Sequence, residues 1–339
     1  MRLVKYLLIL IVLAGLAAAA LGYYVFMLPN VNAEKRVAIK IPTGSDYGDV
    51  LNILRNNKVL KDERSFSFVS NLKNYPEKVK SGYYVFTSRM DNRQIVNILR
   101  AGLQTPVTLV IYNIRTKEEF AGLVGRTLEM DSTELLKKLN DEKFCKQYEL
   151  DTNQILSRFI VDNYEFYWNI PQEKFLEKME TAFEKFWNED RRAKASALNL
   201  TTAEITTLAS ITEREVIRDK ELPTVAGVYL NRLKIGMALQ ADPTLVFATR
   251  DFDTRRVTGY HKQFDSPYNT YMHSGLPPGQ ICMPRKKSID AVLNYEEHKY
   301  LYFCANPDMS GYSLFAESYE EQMKVAALYR KKLNAMNIH

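Results

Sequence analysis

An α+β fold behind one N-terminal apolar helix is what this sequence predicts, and three observations carry the prediction. The chain opens on an uncharged, apolar run from Tyr6 to Leu28. Short alternating stretches such as "VAIKI" and "SGYYVF" are interleaved with stretches of helical period. Further on, "TTAEITTLASITEREVIRDKELP" shows a long helical pattern with a start signal and a proline beyond its end. At 339 residues, 46% hydrophobic and 25% charged, the chain is long enough for about two globular domains.

As a helix the opening run reaches about 34 Å at ~1.5 Å per residue, enough to cross a bilayer core. Tyr23 and Tyr24 near its far end suit an interfacial aromatic belt, and Pro29 stops the helix. Arg2 and Lys5 keep the near end cytoplasmic, so residues 1–28 read as a transmembrane anchor with the rest of the chain outside. Ala17–Ala20 offer the rival of a cleaved signal peptide, but the apolar run continues beyond them, which favours an uncleaved anchor.

Residues 29–36 read as a polar linker, and 37–104 as a small module. Within it "VAIKI" alternates as a strand, "PTGS" is turn chemistry, and Val50, Leu51, Ile53 and Leu54 recur at helical spacing. "SGYYVF" follows as a strand, then "DNRQIVNILRAG" as a helix capped by Asp91 and stopped by Gly102. Residues 105–339 form the larger second domain. It opens with a strand, "PVTLVIYN", and a helix with capping-box spacing from Thr116 to Glu119. Helical patterns cover Ser132 to Tyr148 and Gln172 to Trp187. Between them lies the aromatic-rich "VDNYEFYWNIP", core in most settings and a sugar-stacking wall if it lines a groove.

Several function classes drop out. The 46 basic and 40 acidic residues are interleaved, so a net charge of +6 points to no nucleic-acid partner. Cys145, Cys282 and Cys304 lie far apart, and His261, His273, His298 and His339 form no ligand pair. No disulfide framework, metal site or cofactor is expected.

The stretch "ASITEREV" places Glu213 and Glu215 two residues apart on the long helix, which Thr201 and Glu204 cap. On a 3.6-residue wheel Glu213 shares its face with Ala209, Ser210, Val216 and Ile217, a small and apolar stripe. Glu215 shares the wetter face of Ile211, Thr212, Arg218 and Asp219, which offers a basic partner. Glu213 is therefore the carboxylate expected to be buried away from a cation, with a raised pKa that lets it donate a proton near neutrality. The bland alternative is an exposed glutamate at a ragged helix end.

"GVYLNRLKIGMALQADPTLVFA", "SPYNTYMHSGLPPGQICMP" and "YLYFCANPDMSGYSLFAESYEEQ", following "LASITEREV", together resemble the MltG (YceG-like) family of endolytic murein transglycosylases. "IKIPTGSDYGDVLNILRNNKVL" with "KSGYYVF" is similar to that family's LysM-like module. The resemblance implies a LysM-like glycan-binding module followed by a mixed-sheet catalytic domain. It implies Glu213 as catalytic residue, on a helix at a groove. Gln240, Asp242, Tyr268, Asn269 and Thr270 are the candidates for holding sugars, through amide, carboxylate, hydroxyl and ring contacts. The implied enzyme sits in the inner membrane with a periplasmic body, beside cell-wall synthesis enzymes. It cuts peptidoglycan glycan strands internally to leave 1,6-anhydro ends. One glutamate then suffices as acid and base, because the sugar's own 6-hydroxyl is the nucleophile. A muramidase at the same site and a non-catalytic glycan-binding scaffold are the alternatives. The sequence departs from the family pattern at Ser313 and Gln322, where histidines are usual, and in "IYNIRTKEEF".

Overall fold

The computed structural model describes residues 2–254 and 256–335, so Met1 and His339 lie outside the described residues. The chain divides into two compact units: residues 1–109, 124–130 and 165–171, and the remainder.

In the first unit, α1 (Arg2–Met27) carries the apolar run and stops before Pro29. There follow β1 (Arg36–Ile41), α2 (Tyr47–Asn56), α3 (Glu63–Leu72), β2 (Gly82–Thr87) and α4 (Asn92–Ala101). β1 and β2 pair antiparallel, with Val37 opposite Phe86 and Ile39 opposite Tyr84. Alternation along the two strands turns Ile39, Ile41, Tyr84 and Phe86 into a core completed by Val50, Leu54, Phe66, Val69, Ile95 and Leu99. Local chemistry fixes the helix ends. Asp46 and Asp91 each close a capping box, and Gly102 ends α4 at φ +72°, a conformation that costs a glycine little. Residues after α1 are not the free linker expected. Asn30 and Val31 are buried, the Asn30 amide donates to Asn92 Oδ1 at 2.7 Å, and Val31 bridges to Leu60.

Onward the chain forms β3 (Val107–Val110), α5 (Lys117–Thr127), α6 (Ser132–Leu139), α7 (Glu142–Lys146), β4 (Asn163–Phe166), α8 (Gln172–Phe186) and α9 (Glu189–Ala197). The single helix expected from Ser132 to Tyr148 breaks between α6 and α7, because Asp141 turns its carboxylate onto the Lys143 N–H and restarts the helix. Tyr164, Phe166 and Trp168 of the aromatic stretch are buried and serve as core.

The rest comprises α10 (Thr202–Glu215), α11 (Leu222–Lys234), α12 (Asp242–Thr249), α13 (Gly259–Gln263), α14 (Lys286–Leu293), β5 (Tyr302–Ala305), β6 (Ser313–Ala316) and α15 (Tyr319–Ala335). Helix α10 is the spine of the second unit, packed against α11, α12 and α14. The mixed sheet expected for this part is not formed by the described residues. Among the described residues the strands form two-stranded ribbons, and this core is helical, built from Ile205, Leu208, Ile211, Val225, Tyr229 and Val292. The strands after Leu200 are only four residues each, too short and too few to make a larger sheet.

Candidate active site

The site stands at the C-terminal end of α10. Thr201 starts this helix: its Oγ1 accepts from the Glu204 N–H at 3.2 Å, while Glu204 Oε2 accepts from the Thr201 N–H at 2.8 Å. From Ile205 to Thr212 every residue is buried. The hydroxyls in that dry stretch are satisfied within the helix: Thr206, Thr207 and Thr212 donate to the carbonyls four residues back, and Ser210 donates to Thr207 O. The polar end, Glu213–Glu215, emerges where the peptide dipoles of the helix point their negative ends, an unfavourable place for a second carboxylate charge.

The two glutamates exchange the environments expected of them. Glu213 Oε2 accepts from the Arg285 N–H at 2.8 Å and from Ser288 Oγ at 2.5 Å, and it pairs with Arg285 Nε at 3.2 Å. Arg285 also holds Asp219 Oδ1 at 2.8 Å. Arg285 is the residue at which α14 begins, so Glu213 is an ion-paired strut joining the end of α10 to the start of α14. Its small, apolar helix face is covered by polar groups from α14, 72 positions away in sequence at Arg285, which a helical wheel does not reveal.

Among the described residues, Glu215 is the carboxylate of the pair without an ion-paired cation. The residue's edge reaches solvent, but Oε2 is enclosed and has no hydrogen-bond partner among the described residues. Burial pushes its pKa up to about 7, the charge of Asp242 adds to the rise, and Arg232 opposes it. The charge of Arg232 lowers the Glu215 pKa but does not cancel the rise. Its guanidinium is occupied by the carbonyls of Leu301 at 2.7 Å and Leu239 at 2.6 Å.

Glu215 opens onto a cleft of about 760 Å³, also lined by Arg115, Arg214, Asp242, Phe247 and Phe252. Arg115 lies over the Phe252 ring, 4.5 Å from its centroid. Arg214 reaches Asn113 Oδ1 at 2.6 Å, while its Nε is enclosed with no hydrogen-bond partner among the described residues. Burial and the neighbouring Arg214 charge pull the Arg115 pKa down. Asp242, the first residue of α12, accepts from the Tyr271 hydroxyl at 2.6 Å. Burial and this carboxylate together push the Tyr271 phenol upward. A buried carboxyl with a raised pKa, a second carboxylate, the guanidinium groups of Arg115, Arg214 and Arg256, and aromatic walls thus share one open cleft, a combination suited to acid–base chemistry on a polar substrate with apolar faces.

The sequence candidates scatter. Asp242 lines the cleft. Gln240 does not; its backbone takes φ +50° and its N–H donates to Thr270 O at 3.0 Å. Asn269 is fully buried: its amide donates to Lys262 O and Phe264 O and accepts from the Tyr271 N–H. Thr270 Oγ1 holds the Ala241 N–H and Thr244 Oγ1. Both side chains spend their hydrogen-bonding capacity on shaping the loop before Tyr271. Tyr268 packs on Phe247 at 4.8 Å between centroids, and burial pushes its phenol up to about 12.

Comparison with known proteins agrees with this architecture. Residues 39–327 match the YceG-like family. The chain belongs to that family. An endolytic murein transglycosylase of Bacillus subtilis is 28% identical over 327 aligned positions, covering 89% of this chain and 87% of that protein. One from Streptococcus pneumoniae is also 28% identical, covering 96% of this chain but 65% of its own length. A crystal structure of a putative YceG-like protein from Listeria monocytogenes superposes with a TM-score of 0.58 at 28% identity, covering 86% of this chain and 99% of that one.

Of the three segments singled out in this YceG-like sequence, "IYNIRTKEEF" brings Arg115 to the cleft, while Ser313 and Gln322 have structural partners away from its lining. The Ser313 N–H donates to Glu221 Oε1 at 2.7 Å, and the Gln322 amide donates to Phe303 O at 3.2 Å. Among the described residues, no group of three His, Cys, Asp or Glu side chains is arranged to hold a metal ion. Sequence reasoning missed Glu215 as the enclosed carboxylate. It also missed Arg115, Arg214, Tyr271 and Phe252. Arg115 and Arg214 are distant in the sequence, and only the fold brings the two together.

Proposed function

We propose that this chain is an endolytic peptidoglycan transglycosylase, anchored in the membrane by α1, in which Glu215 moves the protons. One observation carries the assignment of the acid: an enclosed, unpartnered carboxylate with a pKa near 7 opening onto a cleft, on a chain whose named relatives are endolytic murein transglycosylases. Glu213, the residue first indicated by the motif, has one of its two carboxylate oxygens, Oε2, held by Arg285 and Ser288.

In the proposed cycle, protonated Glu215 gives its proton to the glycosidic oxygen as the bond from the muramic acid C1 breaks. The 6-hydroxyl oxygen of the same sugar closes on C1, and its proton passes to the Glu215 carboxylate. The acid is regenerated without water and the product carries a 1,6-anhydro ring. A carboxyl with a pKa near the working pH serves both halves, an effect of roughly 10²–10⁴-fold in rate. The tethered nucleophile supplies the advantage that a second carboxylate gives an ordinary glycosidase. The negative charge of Asp242 faces the same cleft and favours the positive charge that builds at C1. Arg115 and Arg214 suit the carboxylates that peptidoglycan stems carry.

The strand–helix–helix–strand order from β1 to β2 supports a LysM-like glycan-binding role for the first unit. Helix α1 has a mean hydropathy of 2.4 in its best window and none of that window is buried, which supports the anchor over a core helix. The body then lies outside the cytoplasm, beside the cell-wall synthesis enzymes, where internal cleavage terminates new strands.

The test uses full-length protein in detergent with uncrosslinked glycan strands, and mass spectrometry of the new ends. Internal fragments with anhydro-muramic ends, lost in Glu215→Gln and retained in Glu213→Gln, are expected. Ends one water heavier would make it a hydrolase. Loss of cleavage in Glu213→Gln alone would return the acid to Glu213.

A further inference from the structure

We infer that the outer face of α3, carrying Arg64, Phe68 and Leu72, is a membrane-contact surface that seats in the phospholipid headgroup layer beside α1. The inference rests on the reading of α1 as a membrane anchor. Phe68 and Leu72 are 58% and 63% exposed, large apolar side chains that a protein surrounded by water gains nothing by displaying side by side. They stand four residues apart on α3, and Arg64 stands four before Phe68, so the three share one stripe.

The position of that stripe is set by α1. A bilayer core of about 30 Å takes roughly 20 helical residues. With Lys5 among the cytoplasmic headgroups, such a span ends near Val25 and Phe26. Those two residues are built into the first unit. Both pack against its core, Val25 O accepts from the Asn92 amide at 2.9 Å, and Phe26 O accepts from Arg93 Nε at 2.9 Å. No slack follows, because Asn30 is buried and Val31 bridges to Leu60. Helix α3 is then tied to the last turn of α1 twice. Tyr24 donates to Asp62, the cap of α3, at 3.3 Å, and the Phe26 and Phe68 rings meet edge to face at 6.2 Å.

A ring touching Phe26 lies at the boundary of the hydrocarbon. Phe68 therefore meets lipid wherever α1 spans, and Leu72 continues the contact one turn further. Lys61 and Arg64, both exposed, flank the Asp62 cap that Tyr24 holds, and a long basic side chain can lay its stem on the apolar layer while its charge reaches a phosphate. A second protein could cover an apolar stripe elsewhere on the surface; this one is continuous with the spanning helix, which selects the bilayer. The consequence is a first unit held against the membrane by two contacts, so that glycan bound by it is presented at a set height.

The test is full-length Phe68→Trp in vesicles of phosphatidylcholine and phosphatidylglycerol, with and without lipids brominated near the headgroup end of the acyl chain. Wild type, which carries only Trp168 and Trp187, gives the background. Emission from the introduced indole is expected to shift to the blue, to be lost on bromolipid and to resist aqueous iodide. Leu72→Trp repeats the measurement if the first variant misfolds. An introduced indole quenched by iodide and untouched by bromolipid, in a chain that resists alkaline extraction, overturns the inference and leaves the anchor standing. One shielded from both quenchers is covered by protein and also overturns it. Release of the chain by alkaline carbonate removes the anchor reading, and this inference with it.

Discussion

Replacing Glu215 with glutamine should abolish turnover and at the same time stabilise the fold at alkaline pH. Its pKa is raised from 4.5 to about 7 in the folded protein, chiefly by burial. The sign follows from linkage: the folded state holds the proton more tightly than the unfolded chain does. Below pH 4.5 both states are protonated and Glu215 costs nothing as a charge. Between pH 4.5 and about 7 the unfolded chain gives up the proton that the folded state still holds, so stability falls across that window, and it levels off once the folded carboxyl ionises. A shift of about 2.5 units at ~1.36 kcal/mol per unit gives about 3 kcal/mol, an upper bound because the residue's edge reaches solvent. Glutamine is nearly isosteric and cannot ionise. Thermal unfolding of full-length wild type and Glu215→Gln should therefore coincide below about pH 4.5, diverge progressively up to about pH 7 and differ by a constant amount above it. The variant should melt higher by up to about 6–12 °C, at ~2–4 °C per kcal/mol for domains of this size. Equal melting temperatures at about pH 8, or a lower one for the variant, would refute the claim that Glu215 is held in a dry, unpaired place.

Glu213→Gln should do the opposite: destabilise by about 1–3 kcal/mol at neutral pH through the weakened strut to Arg285, with cleavage per folded molecule retained, as denaturant titration beside a strand-cleavage assay would read. Asp242→Asn removes a negative charge that helps raise the Glu215 pKa, so the alkaline limb of the pH–rate profile should move to lower pH; an unmoved limb would place Asp242 too far from the acid to matter. Asn269→Ala should cost about 2–4 kcal/mol and loosen the loop before Tyr271, since its amide makes three backbone hydrogen bonds in a fully buried place. Gly279→Ala should likewise destabilise, because a Cβ there would come within 2.3 Å of the Asn153 carbonyl oxygen, backbone that cannot yield.

Whatever depends on neighbours a few positions away could be read from the linear chain. The caps at Asp91 and Thr201, the stop at Gly102, the period of α4 and α10, and the apolar length of α1 are all short-range chemistry, and each was legible. The ordered motifs were legible too, and they led to the right family. Which of two glutamates is dry was settled by long-range packing. Helical spacing ranks faces by their own residues, but the environment of Glu213 comes from Arg285 and Ser288, and that of Glu215 from Asp242 and Arg232. The same limit hid the difference between Asn269, consumed in holding a loop, and Asp242, which faces the cleft. A side chain's chemistry is set by the charges, donors and water within a few ångströms of it. Only the folded chain says what those are.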